Sequence, residues 1–366
     1  MIVRCYEGAK VLAPFLCIKI WLFSRLFVTF TSLKLLTLGK AQINLAFLSF
    51  IRNFAGVMSI LFILLGAILV LWGADRLTDG ATALAHRMNV PQIVIGLTVV
   101  AMGTSMPEFF VSLMSAIKGT SDIAVGNVVG SNVFNTLLIV GITAMVAPMI
   151  ISRNTVRKDI PFAVAASIAL TVMSLDGSVS RLDAALLFAG FIFFIYYTLR
   201  MAMKGNLQDQ EMVKLEEMNP WKAVGLVVLG LLCLVGGSNI FVEGATVIAR
   251  SLGVSDAVIG LTIVACGTSL PELATSVVAA RKGRSAIAIG NVIGSNVFNI
   301  LMIIGVTGMV LPMQLEGLTS IDFGIMLSGI ILLWLFCYTR FTVARWEGAV
   351  LTLIFLAYMV WLVINS

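Results

Sequence analysis

Charge is scarce in this chain. Of its 366 residues, 11% are Asp, Glu, Lys or Arg and a single one is His, while 60% are hydrophobic. An ordinary soluble domain carries about 25% charged and roughly 45–50% apolar residues. So few polar side chains cannot cover a globular surface, whereas a protein solvated by lipid has no such need. A soluble fold is excluded. Cysteine is also sparse: Cys5, Cys17, Cys233, Cys266 and Cys337 form no CxxC spacing, which excludes a disulfide scaffold and leaves them as packing residues. The 32 glycines follow no triplet period, so the chain is not collagen-like, and its apolarity excludes disorder.

The formal charge of +6 lies entirely in residues 1–56, where Arg4, Lys10, Lys19, Arg25, Lys34, Lys40 and Arg52 face Glu7 alone. The remainder is neutral, so the basic balance points to no nucleic-acid partner. Within the apolar stretch from Val11 to Phe30, Lys19 and Arg25 would each cost roughly 2.5–3.5 kcal/mol near the centre of a span. The stretch is too long for a signal peptide and lacks a small-residue cleavage site. Two readings remain for residues 1–56: a basic helix lying on anionic lipid, or an extension upstream of a start at Met58.

A bilayer crossing needs about 20 apolar residues over roughly 30 Å. From residue 57 on, ten such segments are centred near residues 66, 99, 136, 168, 191, 232, 262, 299, 330 and 355. The longest polar connection, 201–221, divides them five and five, so the expected units are 1–56, 57–200, the linker 201–221, and 222–366.

The two halves repeat each other. Gly103-Thr-Ser-Met-Pro-Glu108 recurs as Gly267-Thr-Ser-Leu-Pro-Glu272, and Gly126-Asn-Val-Val-Gly-Ser-Asn-Val-Phe-Asn135 as Gly290-Asn-Val-Ile-Gly-Ser-Asn-Val-Phe-Asn299, both at an offset of 164. The same offset aligns Gly80 with Gly244, Asp79 with Glu243, Gly96 with Gly260 and Pro148 with Pro312. Five spans per copy turn the second copy upside down. Loop charges agree: Arg153, Arg157 and Lys158 follow the third span of the first half, whereas Arg281, Lys282 and Arg284 follow the second span of the second. Basic loops stay cytoplasmic. That topology places thirteen Lys and Arg inside against Lys118, Arg181 and Arg250 outside, with the C-terminus outside. The expected fold is an all-α polytopic membrane protein of ten transmembrane helices in two inverted five-helix repeats, as in secondary transporters. The expected location is the plasma membrane, which is the cell inner membrane.

Glu108 and Glu272 each sit in an apolar span that has no Lys or Arg to neutralise them. An intramembrane carboxylate marks a functional site by default. Pro107 and Pro271 lack an N–H and free the carbonyls of Gly103 and Gly267, so each span is expected to break into two half-helices. Ser131 and Asn135, and likewise Ser295 and Asn299, are four residues apart and project from one helix face, with Gly126, Gly130, Gly290 and Gly294 allowing close packing. The assembled groups are two carboxylates, the hydroxyls of Ser105, Ser269, Ser131 and Ser295, the amides of Asn135 and Asn299, and backbone carbonyls. An all-oxygen set suits Ca²⁺ or Na⁺, and the absence of His and Cys argues against zinc or copper. Two ionised Glu are neutralised by one Ca²⁺, two Na⁺ or two protons, so competition for the same carboxylates suffices to couple exchange.

At these residues the chain resembles the cation/calcium exchanger superfamily, most closely its prokaryotic sodium/calcium exchanger-like members, from about residue 57 to the end. The resemblance implies ion ligation by Glu108, Glu272, Ser105, Ser269, Ser131, Ser295, Asn135 and Asn299, completed for Na⁺ by carbonyls of Ala101, Thr104, Ala265 and Thr268. Some members carry Asp where this chain has Asn299, which implies no K⁺ requirement. No cofactor is expected, and the partners are inorganic cations and the bilayer, with no obligatory protein partner and no nucleic acid. Ca²⁺ and Na⁺ are the expected transported ions, with H⁺ as the alternative to Na⁺. A Glu-lined channel fits a duplicated site of broken helices less well. An intramembrane serine enzyme lacks a base, since His86 is expected in a loop without a repeat counterpart. Asp75, Asp79 and Glu243 are left outside the site.

Overall fold

The computed structural model describes residues 40–203, 218–253, 265–315 and 317–365. The chain forms two compact units, Met1–Val57 and Met58–Ser366. In the first, the described residues from Lys40 are helical, and the reading of residues 1–39 as interfacial or as an upstream extension lies outside the described residues. So does most of the expected linker, 204–217.

The second unit is helical throughout its spans, as it must be where no water can satisfy backbone groups. Helix α1 (Lys40–Arg87) supplies its first helix from Met58 on. It continues past the expected loop, so His86 stands in its last turn. Next come two half-helices, α2 (Gln92–Thr104) and α3 (Met106–Ile117), bent by 47°. Helices α4 (Ser121–Val146), α5 (Ile160–Met173) and α6 (Arg181–Met203) complete the first half. The second half runs through α7 (Pro220–Ser251), the short α8 (Ala265–Thr268), α9 (Leu270–Arg281), α10 (Ser285–Val310), α11 (Ser320–Arg340) and α12 (Arg345–Asn365). Among the described residues seven helices are long and apolar enough to cross a membrane, and α2 with α3 makes an eighth as a bent pair. Of the ten expected spans, α5 adds 14 α-helical residues to the π-helical turn Thr155–Asp159 that runs straight into it, and the segment ending in α9 is partly outside the described residues.

Burial separates the helices into a centre and a periphery. The apolar stretches of α4 and α10 are 78% and 94% buried, against 22–39% for the other long helices. Side chains such as Leu64, Ile68, Phe193, Leu232 and Leu353 stay exposed, which is the surface a lipid solvent calls for. The two helices carrying the longer repeated motif are therefore the ones shielded from lipid.

Two seams hold the repeats together. Along α1, Gly66, Gly73 and Gly80 recur every seven residues, and the offset of 164 maps them onto Gly230, Gly237 and Gly244 of α7. A Cβ added at Gly66 would lie 2.6 Å from the Gly237 carbonyl oxygen, and one at Gly230 2.6 Å from the Leu77 nitrogen. Here the backbones touch, as small-residue seams allow in membranes. The second seam is a pair of two-stranded ribbons. Strand β1 (Met149–Ile150) pairs antiparallel with β4 (Thr342–Val343), and β2 (Ser178–Val179) with β3 (Met313–Gln314). Adding 164 converts the partners Met149 and Val179 of one half into Met313 and Val343 of the other, so each ribbon is the repeat image of its fellow. Each ties one half to the other.

The end of α1 is also ionically tied to the loop after α9. Lys282 Nζ lies 2.6 Å from Asp75 and 2.9 Å from Asp79, and Arg284 lies 2.7 Å from Asp79. These partly exposed pairs are worth little individually. They account for the two aspartates without drawing them into the buried carboxylate site.

Candidate functional site

The shorter motif builds the site at its helix breaks. Ser105 leaves helical geometry at φ −84° and ψ 9°, and α3 then starts with Pro107 in its first turn. Ser269 does the same at φ −90° and ψ 5°, ahead of α9 and Pro271. Proline suits a first helical turn because its missing N–H would have had no partner there. Glu108 and Glu272 thus fall in the first turn of their helices, where the N-terminal end of the helix dipole favours negative charge.

The two breaks clasp each other. Ser105 Oγ donates to Glu272 Oε1 at 2.8 Å, and Ser269 Oγ donates to Glu108 Oε1 at 3.1 Å. Each carboxylate is held by the serine of the other repeat, not by the serine three residues before it. Both Glu are 1% exposed, and the Oε2 of each is buried with no hydrogen-bond partner. A buried ionised oxygen without a partner costs several kcal/mol unless something supplies positive charge.

The longer motif adds oxygens of the same kind. Its helices pass from α-helical into π-helical geometry at Phe134–Ile139 and Phe298–Ile304, a distortion that recurs at functional sites. Asn135 and Asn299 lie inside these turns, and their Oδ1 atoms are buried without partners, as is Ser295 Oγ. The π turn of α4 packs on α9, and that of α10 on α3. Five oxygens of the expected ligand set therefore lack a donor among the described residues: two from carboxylates, two from amides and one from a hydroxyl. Ser131 is buried as well.

The structure places the remaining expected ligands less directly. The Ala101 carbonyl accepts the Ser105 N–H at 3.0 Å, and the Thr104 hydroxyl lies 3.1 Å from both the Val100 carbonyl and Asn291 Oδ1. Ala265 is the first described residue of α8 and Thr268 its last. Of the two carbonyls freed by proline, that of Gly267 is not free: the Ser238 hydroxyl of α7 donates to it. The repeat counterpart of Ser238 is Ala74, so the same cap is absent at Gly103. Gly290 and Gly294 serve packing as expected: a Cβ at Gly294 would lie 2.6 Å from the Leu97 carbonyl oxygen. Gly126 and Gly130 differ from that expectation: among the described residues a Cβ at Gly126 would meet only the Leu318 side chain, at 3.8 Å, and one at Gly130 nothing within 4 Å.

Four asparagines were not singled out by sequence reasoning. Asn127 Nδ2 donates to the Glu108 carbonyl at 3.1 Å and to Ser112 Oγ at 2.9 Å. Asn291 repeats this on Glu272 and Ser276 at 3.2 and 3.0 Å. They lock each Glu-bearing turn to the helix that follows. Asn132 and Asn296 contact two of the expected ligands across the repeats, at 3.3 Å to Asn299 and 3.2 Å to Asn135. The signal was present, since Asn127, Ser131 and Asn135 are spaced by four and each of these residues is duplicated.

Three kinds of comparison with known proteins agree. The sequence model of the family described as "Sodium/calcium exchanger protein" matches residues 58–200 and again residues 222–364. The chain is 33% identical over 343 residues to the sodium/calcium exchanger MaX1 of Methanosarcina acetivorans, covering 83% of this chain and 98% of that protein. It is 32% identical over 317 residues to the inner membrane protein YrbG of Escherichia coli, covering 82% and 96% respectively. Among solved structures, the sodium-calcium exchanger NCX_Mj, soaked with Na⁺ and Sr²⁺, superimposes with a TM-score of 0.74 at 31% identity, over 83% of this chain and 98% of that one.

Proposed function

Because this chain belongs to the sodium/calcium exchanger protein family, we propose that it is a secondary antiporter that exchanges Ca²⁺ for Na⁺ by alternating access at one shared site built on Glu108 and Glu272. The observation that carries this reading is the reciprocal clasp: Ser105 holds Glu272, Ser269 holds Glu108, and both Oε2 atoms are left without a donor. Two ionised carboxylates in a dry interior demand a charge of about +2, which one Ca²⁺ or two Na⁺ supply. Neither load can share the carboxylates with the other. If the bundle rearranges only when the site is neutralised, each passage inward of one ion requires passage outward of the other. Amide and hydroxyl oxygens from Asn135, Asn299, Ser131 and Ser295 fill the coordination spheres, and carbonyls of Ala101, Thr104, Ala265 and Thr268 serve Na⁺.

The same reading takes the chain as ten spans in two inverted repeats, 57–200 and 222–366, with the C-terminus outside the inner membrane. The near-identical geometry of the two breaks supports it, since an inverted repeat presents the same half-site from each side. No residue is assigned a catalytic role, and no protein partner or cofactor is needed for the cycle.

The test is ⁴⁵Ca²⁺ uptake into proteoliposomes holding the purified protein, with an outward Na⁺ gradient and pH clamped on both sides. Uptake is expected to require the Na⁺ gradient and to stop when K⁺ replaces Na⁺. Uptake indifferent to Na⁺ but driven by an outward H⁺ gradient would overturn the Na⁺ assignment in favour of Ca²⁺/H⁺ exchange.

A further inference from the structure

An asparagine side chain is a two-ended group: its oxygen can ligate a cation, and its NH₂ cannot. Asn135 and Asn299 therefore serve as ion ligands only if something turns their oxygens towards the ion. Each has one buried hydrogen-bond contact of its NH₂ group, and each contact crosses the repeats. Asn299 Nδ2 donates to Asn132 Oδ1 at 3.3 Å, and Asn135 Nδ2 donates to Asn296 Oδ1 at 3.2 Å. Asn132 and Asn296 are themselves 2% and 3% exposed, so water does not compete for these contacts. What remains of each ligand amide is the partnerless Oδ1.

The direction of the chain is set one residue further out. Asn132 Nδ2 faces the thioether of Met326 at 3.9 Å. A thioether sulfur accepts weakly and has no hydrogen to donate. The sulfur favours the NH₂ end of Asn132, which leaves its oxygen towards Asn299 and, in turn, the Asn299 oxygen free. In the other chain Asn296 Nδ2 donates to Thr136 Oγ1 at 2.8 Å. The repeat counterparts of Thr136 and Met326 are Ile300 and Phe162, so the two relays end on unrelated groups, one an acceptor only and the other a hydroxyl that can also donate.

We propose that Asn132 and Asn296 are positioning residues that lock the side-chain amides of Asn299 and Asn135 with the carbonyl oxygen towards the transported ion. They touch no ion themselves. The inference rests on the reading of Asn135 and Asn299 as ligands of the exchanged cations. It also explains why neutral amides at these two positions need a second asparagine each: a carboxylate has an oxygen at both ends and needs no such orientation.

That difference supplies the test. Asn132→Leu keeps the size of the side chain and removes the acceptor, which frees the Asn299 amide to turn its NH₂ inward. In proteoliposomes the KM for Ca²⁺ is expected to rise about tenfold or more, as for loss of a ligand to a charged group, with maximal velocity changed less. The substitution is then repeated in the Asn299→Asp background, where orientation is irrelevant. There, Asn132→Leu is expected to change the KM of that background by no more than about twofold, a coupling that a double-mutant cycle reads directly. An equal loss in both backgrounds would assign Asn132 to packing and overturn the proposal. No loss in either background, with Glu108→Gln still inactive, would overturn it while leaving the two-carboxylate site intact; if Glu108→Gln is also active, the site reading itself fails. Should Asn132→Leu not give a monodisperse protein, Asn296→Leu with and without Asn135→Asp is the equivalent cycle, with the same expected and overturning results.

Discussion

Glu108→Gln and Glu272→Gln are each expected to abolish Ca²⁺ exchange while the purified variants keep the wild-type elution profile. Glutamine matches glutamate in shape and retains an oxygen to accept from Ser269 or Ser105, so the clasp between the two breaks survives. What is lost is one of two buried negative charges. Both side chains are 1% exposed, so water cannot replace the missing charge around a divalent ion. Removing one partner of a buried ionic contact costs about 3–5 kcal/mol, or roughly 100-fold and upward in affinity. The check is gradient-driven ⁴⁵Ca²⁺ uptake by each variant beside wild type. Because the clasp is reciprocal, both substitutions must fail; full activity in either one would mean that the two carboxylates do not act as a unit.

The second large effect is expected far from the carboxylates. Gly230→Val is predicted to lower the thermal midpoint of the purified protein sharply and to abolish exchange. Even a Cβ at Gly230 would meet the Leu77 nitrogen at 2.6 Å and the Gly73 carbonyl oxygen at 2.8 Å. These are backbone atoms, and they can withdraw only if α1 and α7 separate along the seam. Overpacking of this sort costs about 1–3 kcal/mol per site, and valine adds two methyl groups beyond the Cβ. The control lies on the same helix. Gly225 has open space where its Cβ would go, and Gly225→Ala is expected to be neutral or slightly stabilising, by up to about 1 kcal/mol of helix propensity. Thermal denaturation followed by size-exclusion chromatography separates the two; similar losses for both variants would deny the seam its role.

The sequence made some of this legible and hid the rest for physical reasons. The helix breaks at Ser105 and Ser269 could be read directly, since a proline in the next turn and the missing N–H are local facts. So could Glu108 and Glu272, because an unneutralised carboxylate in an apolar span stands out in composition alone. The clasp could not. Ser105 and Glu108 are close in sequence, yet Ser105 reaches Glu272, and only the packing of one repeat on the other decides that. The π turns around Asn135 and Asn299 carry no local signature either, since the sequence there satisfies α-helical and π-helical geometry equally. The Ser238 cap on the Gly267 carbonyl comes from a helix some thirty positions away and has no counterpart at Ala74, so the repeat could not announce it. Conversely, the relay through Asn132 and Asn296 was duplicated in plain view. Spacing alone does not mark it, because one step along a helix turns a side chain by about 100°, which takes position 132 off the face shared by Ser131 and Asn135.

The central claim is that Ca²⁺ and Na⁺ occupy the same pair of carboxylates in turn. The direct measurement is equilibrium ⁴⁵Ca²⁺ binding to the purified protein, titrated with Na⁺ at constant ionic strength and pH. The account predicts a single Ca²⁺ per chain, displaced completely by Na⁺ with a Hill slope above one, because more than one Na⁺ is needed to replace its charge. Ca²⁺ that stays bound at saturating Na⁺ would place the two ions on separate sites and contradict it.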